Sequence, residues 1–296
     1  MEKILFIFNA KAGHAAIGSH LLKIIDAFDR EDSILTVMTT RYAGHATELV
    51  KTYGKDFDRI LTSGGDGTIN EIVNGVVQLG KPIPVMYIPT GTTNDFASSL
   101  GLSTDINKCI KQLSSGEPFV SDAGMLNDHA FIYVAAFGTP VNVTYTTPQE
   151  EKNLWGYPAY VRQFLKTLPN LRPFHLKIQS GERKLEGDYL FGFVTNSYSV
   201  SGFKGVTGKH VSLNDGLFEF TLIRNVQNVV EFAELLAAAH TLLDEKPDEK
   251  YIERFAVSDL RIECDEELEW NVDGEFGGKF HDSKITVLKN AVTFIV

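Results

Sequence analysis

Two cysteines in 296 residues, Cys109 and Cys264, lie far apart and match no metal-ligand or redox spacing. Neither a disulfide framework nor a thiolate metal site therefore carries this fold, and both are expected as buried, reduced thiols. Positive charge is also short. With 28 Lys and Arg against 38 Asp and Glu, the formal net charge is -10. That excludes the broad cationic surface of a duplex nucleic-acid binder, though not a local basic patch. Long apolar runs are missing too: the longest, "VVEFAELLAAAHTLL" from 229, carries Glu231, Glu234 and His240, so it is no membrane span. The opening "MEKILFIFNA" has too short an apolar run for a signal peptide and no small-residue cleavage site after it. It reads as a first strand, with the cytoplasm as the default location. What remains, 43% hydrophobic and 22% charged residues, is the composition of a globular chain, and the length suits two domains.

The first 120 or so residues alternate short apolar runs with helical patterns, which predicts a parallel sheet with helices on its faces. Strands are expected at 4–9, 34–39, 59–64 and 84–89, with helices between and after them. From about 123 the runs lengthen and fill with aromatic and β-branched residues, as in "HAFIYVAAFG", "FHLKIQS", "GLFEFTLIR" and "YIERFAVSDLRIEC". That texture predicts an antiparallel β domain interrupted by helices near 157–169 and 227–243. The last stretch, "KITVLKNAVTFIV", could close either domain.

In doubly wound sheets ligands sit at the carboxyl ends of the strands, so the strand-to-helix loops are where chemistry is sought. Four loops qualify: "NAKAG" (9–13), "TTRYAGHA" (39–46), "GGDGTIN" (64–70) and "PTGTTNDF" (89–96). Bare glycine backbone lets N–H groups approach a phosphate, and the following helix offers its positive end. Asp66 inside such a loop would repel phosphate unless a cation lay between, which points to a metal-bound polyphosphate. The bland alternative is a tight turn with Thr68 as a helix cap. Neither "GxGxxG" nor "GxxxxGK[ST]" is present, so the dinucleotide fingerprint and the ordinary P-loop do not apply.

Together, "GGDGTINEIVNGV" and "PTGTTNDFA" resemble the lipid kinases built on the diacylglycerol kinase catalytic domain, a group that includes sphingosine and ceramide kinases. The likeness extends through "SDAGMLN" (121–127), "LNDGLFEF" (213–220) and "NVDGEF" (271–276). It implies an N-terminal doubly wound α/β nucleotide-binding domain, like those of NAD kinase and phosphofructokinase, at 1–122. An antiparallel β-sandwich substrate domain follows at 123–283, the strand at 284–296 returns to the first domain, and the site lies in the cleft between them. The implied reaction is ATP-dependent phosphorylation of a lipid hydroxyl, diacylglycerol to phosphatidic acid by default, with Mg2+. Carried over by position, ATP contacts fall on Asn9, Ala10, Lys11, Ala12, Gly13, Thr40, Gly64, Gly65, Asp66, Gly67, Thr68, Ile69, Asn70 and Thr92, with Asn94 and Asp95 in the same last loop. A magnesium-associated segment maps onto Ser212, Asp215 and Leu217, and the general base onto Glu275. The first loop departs from the usual "NPxSG", and the usual "GDAT" stands here as Gly44, His45, Ala46, Thr47.

Phosphoryl transfer asks for positioning and charge neutralisation, and a carboxylate near the lipid hydroxyl can take its proton. Asp66, Asp273 and Glu275 are the catalytic candidates; Gly274 permits a turn that would project the last two, though "DG" is also a common surface turn. Lys11 either neutralises phosphate or is a solvated lysine. A soluble enzyme with a lipid substrate must meet the inner face of a membrane peripherally. Residues 152–184 hold seven Lys or Arg against Glu182 alone, interleaved with aromatics, and suit docking on an anionic leaflet. An amphipathic helix packed on the β domain explains them equally. A homodimer is implied by the resemblance, and no nucleic-acid partner is expected. The alternatives are an NAD kinase, against which stands the lack of a second Asn-Glu pair after 120, and a catalytically silent nucleotide or lipid binder.

Overall fold

The computed structural model describes residues 1–10, 17–91, 94–138, 172–197, 199–200, 203–204, 212–238 and 250–296. Packing divides them into two compact units. Unit one comprises Met1–Tyr133, Leu213–Gly216 and Leu288–Val296; unit two comprises Val134–Ser212 and Leu217–Val287.

Unit one runs β1 (Glu2–Phe8), α1 (Leu21–Phe28), β2 (Ser33–Thr39), α2 (His45–Tyr53), β3 (Arg59–Gly64), α3 (Asp66–Leu79), β4 (Val85–Pro89), α4 (Asp95–Ser99), α5 (Ile106–Ser115), β5 (Pro118–Leu126) and β6 (His129–Phe131). Strands β2, β1, β3 and β4 pair in that order and all are parallel, as the alternation of apolar runs with helical patterns predicted. Helices cover such a sheet, which is why β4 is apolar and buried along its whole length, and why β3, although it ends in Thr62, Ser63 and Gly64, is buried from Ile60 onward. Helix α3 ends on Gly80 at φ +66°, a left-handed stop that glycine adopts without strain. The sequence reading missed α5. Its cap was legible: the Asp105 carboxylate accepts the N–H groups of Asn107 and Lys108 at 2.9 and 3.2 Å.

Unit two contains β7 (Val134–Phe137), β8 (Phe174–Ser180), β9 (Arg183–Thr195), the short pair β10 (Ser199–Val200) and β11 (Phe203–Lys204), β12 (Phe218–Arg224), α6 (Val229–Ala238), β13 (Ile252–Val257), β14 (Asp259–Val272) and the first part of β15 (Glu275–Ile295). Every pairing within it is antiparallel. The order is β13, β12, β9, β7, β14, β15, and β8 also lies between β9 and β14. The long strands β9 and β14 therefore flank two short ones placed end to end. Trp270 anchors the core, edge-on to Phe137 at 4.9 Å with its indole N–H donated to Ser283 at 2.8 Å, so a large apolar surface is buried without an orphaned donor. Leu235 and Ala238 of α6 pack on Leu190, Ile223 and Ile252. The helix expected near 157–169 lies outside the described residues.

Two expected boundaries change. The stretch 123–133 belongs to unit one rather than to the β domain, because β5 and β6 form a hairpin that α3 grips. Asn74 both donates to the Ala130 carbonyl (2.8 Å) and accepts its N–H (2.9 Å), standing in for a missing strand neighbour. The second change concerns the C-terminal stretch, expected to return to the first domain from 284 and found to join unit one from Leu288. It is one 21-residue strand, paired with β14 in unit two and, at Phe294 and Ile295, parallel to β4 in unit one.

Candidate functional site

At the carboxyl edge of the parallel sheet, the loops after β3 and β4 touch backbone to backbone. A Cβ at Gly91 would fall on the Cα of Gly65, and one at Gly64 would overlap the Thr68 side chain. The Thr90 N–H donates to the Gly64 carbonyl at 2.8 Å, and the Tyr87 hydroxyl to the same oxygen at 3.2 Å. Asn94, at φ +54°, clasps Gly91 from both sides, accepting its N–H (2.9 Å) and donating to its carbonyl (2.8 Å). The glycines are thus required by the contact of two loops, a reason that no reading of either loop alone contains.

Asp66 is the first residue of α3, and Gly65 is the cap; Thr68, expected as a cap, is buried inside the first turn. The Asp66 carboxylate accepts the N–H groups of Asp95 and Phe96, both at 3.3 Å, and so caps α4 from across the loop contact. Burial, and secondarily the charge of Asp95, push its pKa up to about 6 against the pull of those N–H groups. A second carboxylate acts in the same way one strand further out. Glu71 of α3 accepts the N–H groups of Gly44 (2.8 Å) and Ala46 (2.9 Å), while the Thr47 hydroxyl donates to its carbonyl (2.7 Å). The N-termini of α2 and α4 are therefore already occupied by anionic side chains. That of α3 has a glycine cap and no side-chain cap. Nothing in the local sequence of Glu71 signals its reach to Gly44.

Of the other residues implied to touch nucleotide, Asn9 and Thr40 directly follow β1 and β2, joined to the sheet by Asn9 N–H to the Ser63 carbonyl (3.1 Å) and Thr40 N–H to the Phe8 carbonyl (2.9 Å). Ala10 is exposed and Gly67 partly so. Ile69 is wholly buried, and the Asn70 amide is committed to the Ala130 carbonyl at 3.1 Å, so neither offers a side chain to a ligand. Asn94 and Asp95 are buried. Lys11, Ala12, Gly13 and Thr92 lie outside the described residues.

The segment implied for magnesium is organised by an acid the sequence reading left without a role. Asp122, 1% exposed on β5, accepts the Gly216 N–H at 2.6 Å and the Asn290 N–H at 2.7 Å, while its own N–H donates to Leu213 at 2.7 Å. Residues Leu213–Gly216 are thereby stitched into unit one, with Asp215 exposed and Gly216 at φ +85°. Ser212 and Leu217 flank them in the chain. Among the described residues no three His, Cys, Asp or Glu side chains gather closely enough to bind a metal by themselves. The available signal was an acid inside an otherwise small and apolar strand, "SDAGML".

In unit two, Asp273 and Gly274 form a two-residue hairpin turn, with φ +49° and +89°, between the paired residues Val272 and Glu275. Asp273 was expected to be catalytic and to project into the site. Instead it is 1% exposed, its carboxylate accepting the Val134 N–H (2.9 Å) and its N–H donating to the Val134 carbonyl (2.8 Å). It is a structural turn residue. Glu275, the next side chain but one, is exposed. Beyond it Gly277 is an unpaired bulge residue, where a Cβ would collide with Val272.

The basic window 152–184 is described only from Arg172 onward. Arg172, Lys177 and Arg183 stand 3.5, 3.9 and 3.9 Å from Glu266, Glu186 and Glu253, acids supplied from outside the window. Lys184 is described as well, on β9, whereas 152–171, with Lys152, Arg162 and Lys166, lies outside the described residues. No helix among those described is long and apolar enough to cross a membrane.

Comparison with known proteins agrees with this arrangement. Residues 3–126 match the family model of the diacylglycerol kinase catalytic domain. The diacylglycerol kinase of Bacillus subtilis (strain 168) is 32% identical over 280 residues, 94% of this chain and 91% of that protein. The diacylglycerol kinase of Staphylococcus carnosus (strain TM300) is 28% identical over 94% of this chain and 90% of its own. A solved structure from Bacillus anthracis str. Sterne has a TM-score of 0.82 at 26% identity, covering 99% of this chain and 96% of that one, so the two share the same two-domain fold.

Proposed function

Because this chain belongs to the diacylglycerol kinase family and is thereby a lipid kinase, we propose that it transfers the γ-phosphoryl group of ATP to the hydroxyl of diacylglycerol, giving phosphatidic acid. One observation carries the nucleotide part. Of three helices whose N-termini follow β2, β3 and β4, two are filled by Glu71 and Asp66, which leaves the glycine-capped start of α3 for an anion. The phosphates sit against the backbone of Gly65, Asp66 and Gly67, held in shape by the contact with Gly91. Asp66 keeps the α4 loop closed on the glycine loop.

Glu275 accepts the proton of the lipid hydroxyl as the new phosphorus–oxygen bond forms. An exposed carboxylate at the end of a rigid two-residue turn is suited to this, since the turn holds its backbone while Asp273 anchors the turn from below. The oxygen-only donors fit a hard cation: Asp66 and Asp95 would hold Mg2+ near the phosphates, and Asp215 with the backbones of Ser212 and Leu217 a second, structural ion. When bound, magnesium neutralises charge on the transferred group. The enzyme meets its substrate peripherally, through whatever part of 152–184 carries uncompensated charge.

The test is transfer of label from γ-labelled ATP in the presence of mixed lipids and of NAD. Label in an organic-soluble product that co-migrates with phosphatidic acid supports the proposal. Label in NADP identifies an NAD kinase instead, and ATP bound without transfer identifies a silent binder.

A further inference from the structure

Tyr42 and His45 sit at the carboxyl end of β2, on the loop that enters α2, and form a ring pair that the reaction described so far does not use. Their ring centroids are 4.6 Å apart with 30° between planes. Each ring is held by a second contact: the Tyr42 hydroxyl donates to Glu48 at 2.6 Å, and the Arg41 N–H donates to His45 Nδ1 at 3.1 Å. With Nδ1 accepting, a neutral His45 carries its proton on Nε2 and offers it as a donor. Despite these restraints Tyr42 remains 55% exposed.

We infer that this ring pair is a stacking subsite for the purine base of the nucleotide. The inference rests on the reading that ATP is the phosphoryl donor. The first argument is electrostatic. The Glu71 carboxylate occupies the N-terminus of α2, so the β2 loop repels a polyphosphate and can serve only an uncharged part of the ligand. The second is spatial. Strand β2 is separated from β3 by β1 alone, about 10 Å at two strand spacings. A nucleotide laid along the strand ends, with its phosphates at Gly65–Gly67, therefore points its other end over β2, the usual crosswise placement in doubly wound sheets.

The third argument is preorganisation. Glu71 fixes the backbone at Gly44, which is at φ +85°, and at Ala46, while Glu48 and Arg41 fix the rings. A base that stacks on Tyr42 then immobilises little that was free before. Stacking tolerates any π-face, so the subsite selects a base without selecting strongly among purines, and His45 Nε2–H adds one donor for a ring nitrogen or a ribose hydroxyl.

The experiment is calorimetric binding of ATP and of inorganic tripolyphosphate to the full chain and its variants. Tyr42→Ala is expected to weaken ATP by about tenfold or more and to leave tripolyphosphate unchanged, because only ATP carries a base. Tyr42→Phe restores most of the loss, and His45→Ala gives a smaller loss in the same direction. In turnover, KM for ATP rises with Tyr42→Ala while KM for diacylglycerol and the melting temperature hold. The inference is overturned if Tyr42→Ala binds ATP as the unaltered chain does, or if it weakens ATP and tripolyphosphate equally, the mark of a collapsed loop. If the unaltered chain binds no ATP, the donor reading itself fails and the subsite with it.

Discussion

Asp66 and Glu275 are both acids set among glycines, one in each unit, and their surroundings are opposite. Asp66 is partly buried, held in the fold by two N–H groups, its pKa raised to about 6 by burial of the carboxylate and by Asp95. Glu275 is exposed, and the burial at its turn is borne by Asp273, two residues before it. A glycine-rich acidic motif therefore does not say which of its acids does chemistry and which holds the loop. What marks Asp66 and Asp273 as holding their loops is that backbone N–H groups from elsewhere in the chain reach their carboxylates.

The sharpest way to test that contrast is Glu275→Gln. Loss of a general base predicts a fall in kcat of about 10²- to 10⁴-fold with little change in thermal stability, read by steady-state assay and calorimetry. A kcat within a few-fold of the unaltered enzyme's removes Glu275 from the mechanism. Asp273→Ala is expected to do the reverse. It orphans the Val134 N–H and puts alanine at a left-handed φ, a loss of about 2–4 kcal/mol in denaturant unfolding. Asp273→Asn keeps an acceptor and tolerates that φ, so most of the stability returns. If Asp273→Asn is stable but inactive, Asp273 belongs to the chemistry and the contrast breaks.

In unit one, Gly91→Ala drives a methyl onto the Gly65 backbone and towards the Asn94 side chain, 2.9 Å away. The expected cost is about 1–3 kcal/mol, together with a raised KM for ATP, since the loops must part to admit it. An unchanged melting temperature would show that the loops are not held together as described.

The smallest effect concerns His175 in unit two, where hydrogen bonds donated by its ring to Asp188 first and Glu186 second raise its pKa. A raised folded-state pKa gives stability that is full below the unfolded value and is lost as pH rises through the folded one. His175→Ala should therefore lower the melting temperature more at pH 5 than at pH 9. The opposite trend would mean that the imidazole is not paired with these acids.

Much of unit one was legible because local pattern and final environment coincide there. The runs at 4–9, 34–39, 59–64 and 84–89 became β1–β4 with shifts of at most two residues, since short apolar runs alternating with helical patterns are the local signature of a parallel sheet with helices on its faces. Unit two was harder. "HAFIYVAAFG" reads as one strand but is β6 and β7, split at Ile132 and Tyr133, where the chain passes between units. "YIERFAVSDLRIEC" likewise breaks at Ser258 into β13 and β14, which pair with different partners. Apolar runs record burial, and a strand that ends against new partners stays buried across the break.

The site divides along the same line. The glycines and carboxylates of "GGDGT" and "DGE" were visible as the residue types that a polyphosphate and a base would need, and the positive φ of Gly274 suits its turn. Asp122, Glu71 and the true place of Asp273 were not, because each acts on backbone donors distant in the chain: Asn290, Gly44 and Val134. The partners of Arg172 and Arg183 in the basic window 152–184 were hidden for the same reason, since Glu266 and Glu253 come from other strands.

By itself, then, the sequence determined the alternation of strands and helices, the family and the chemical types at the loops, all of which are set by neighbours a few residues apart. Only the tertiary structure decided which acids are capped and buried, which helix end is left for an anion, and which glycines exist because another loop's backbone lies against them. Those are consequences of contacts between residues tens to hundreds of positions apart, and hydrogen-bond donors brought together by folding leave no periodicity in the chain.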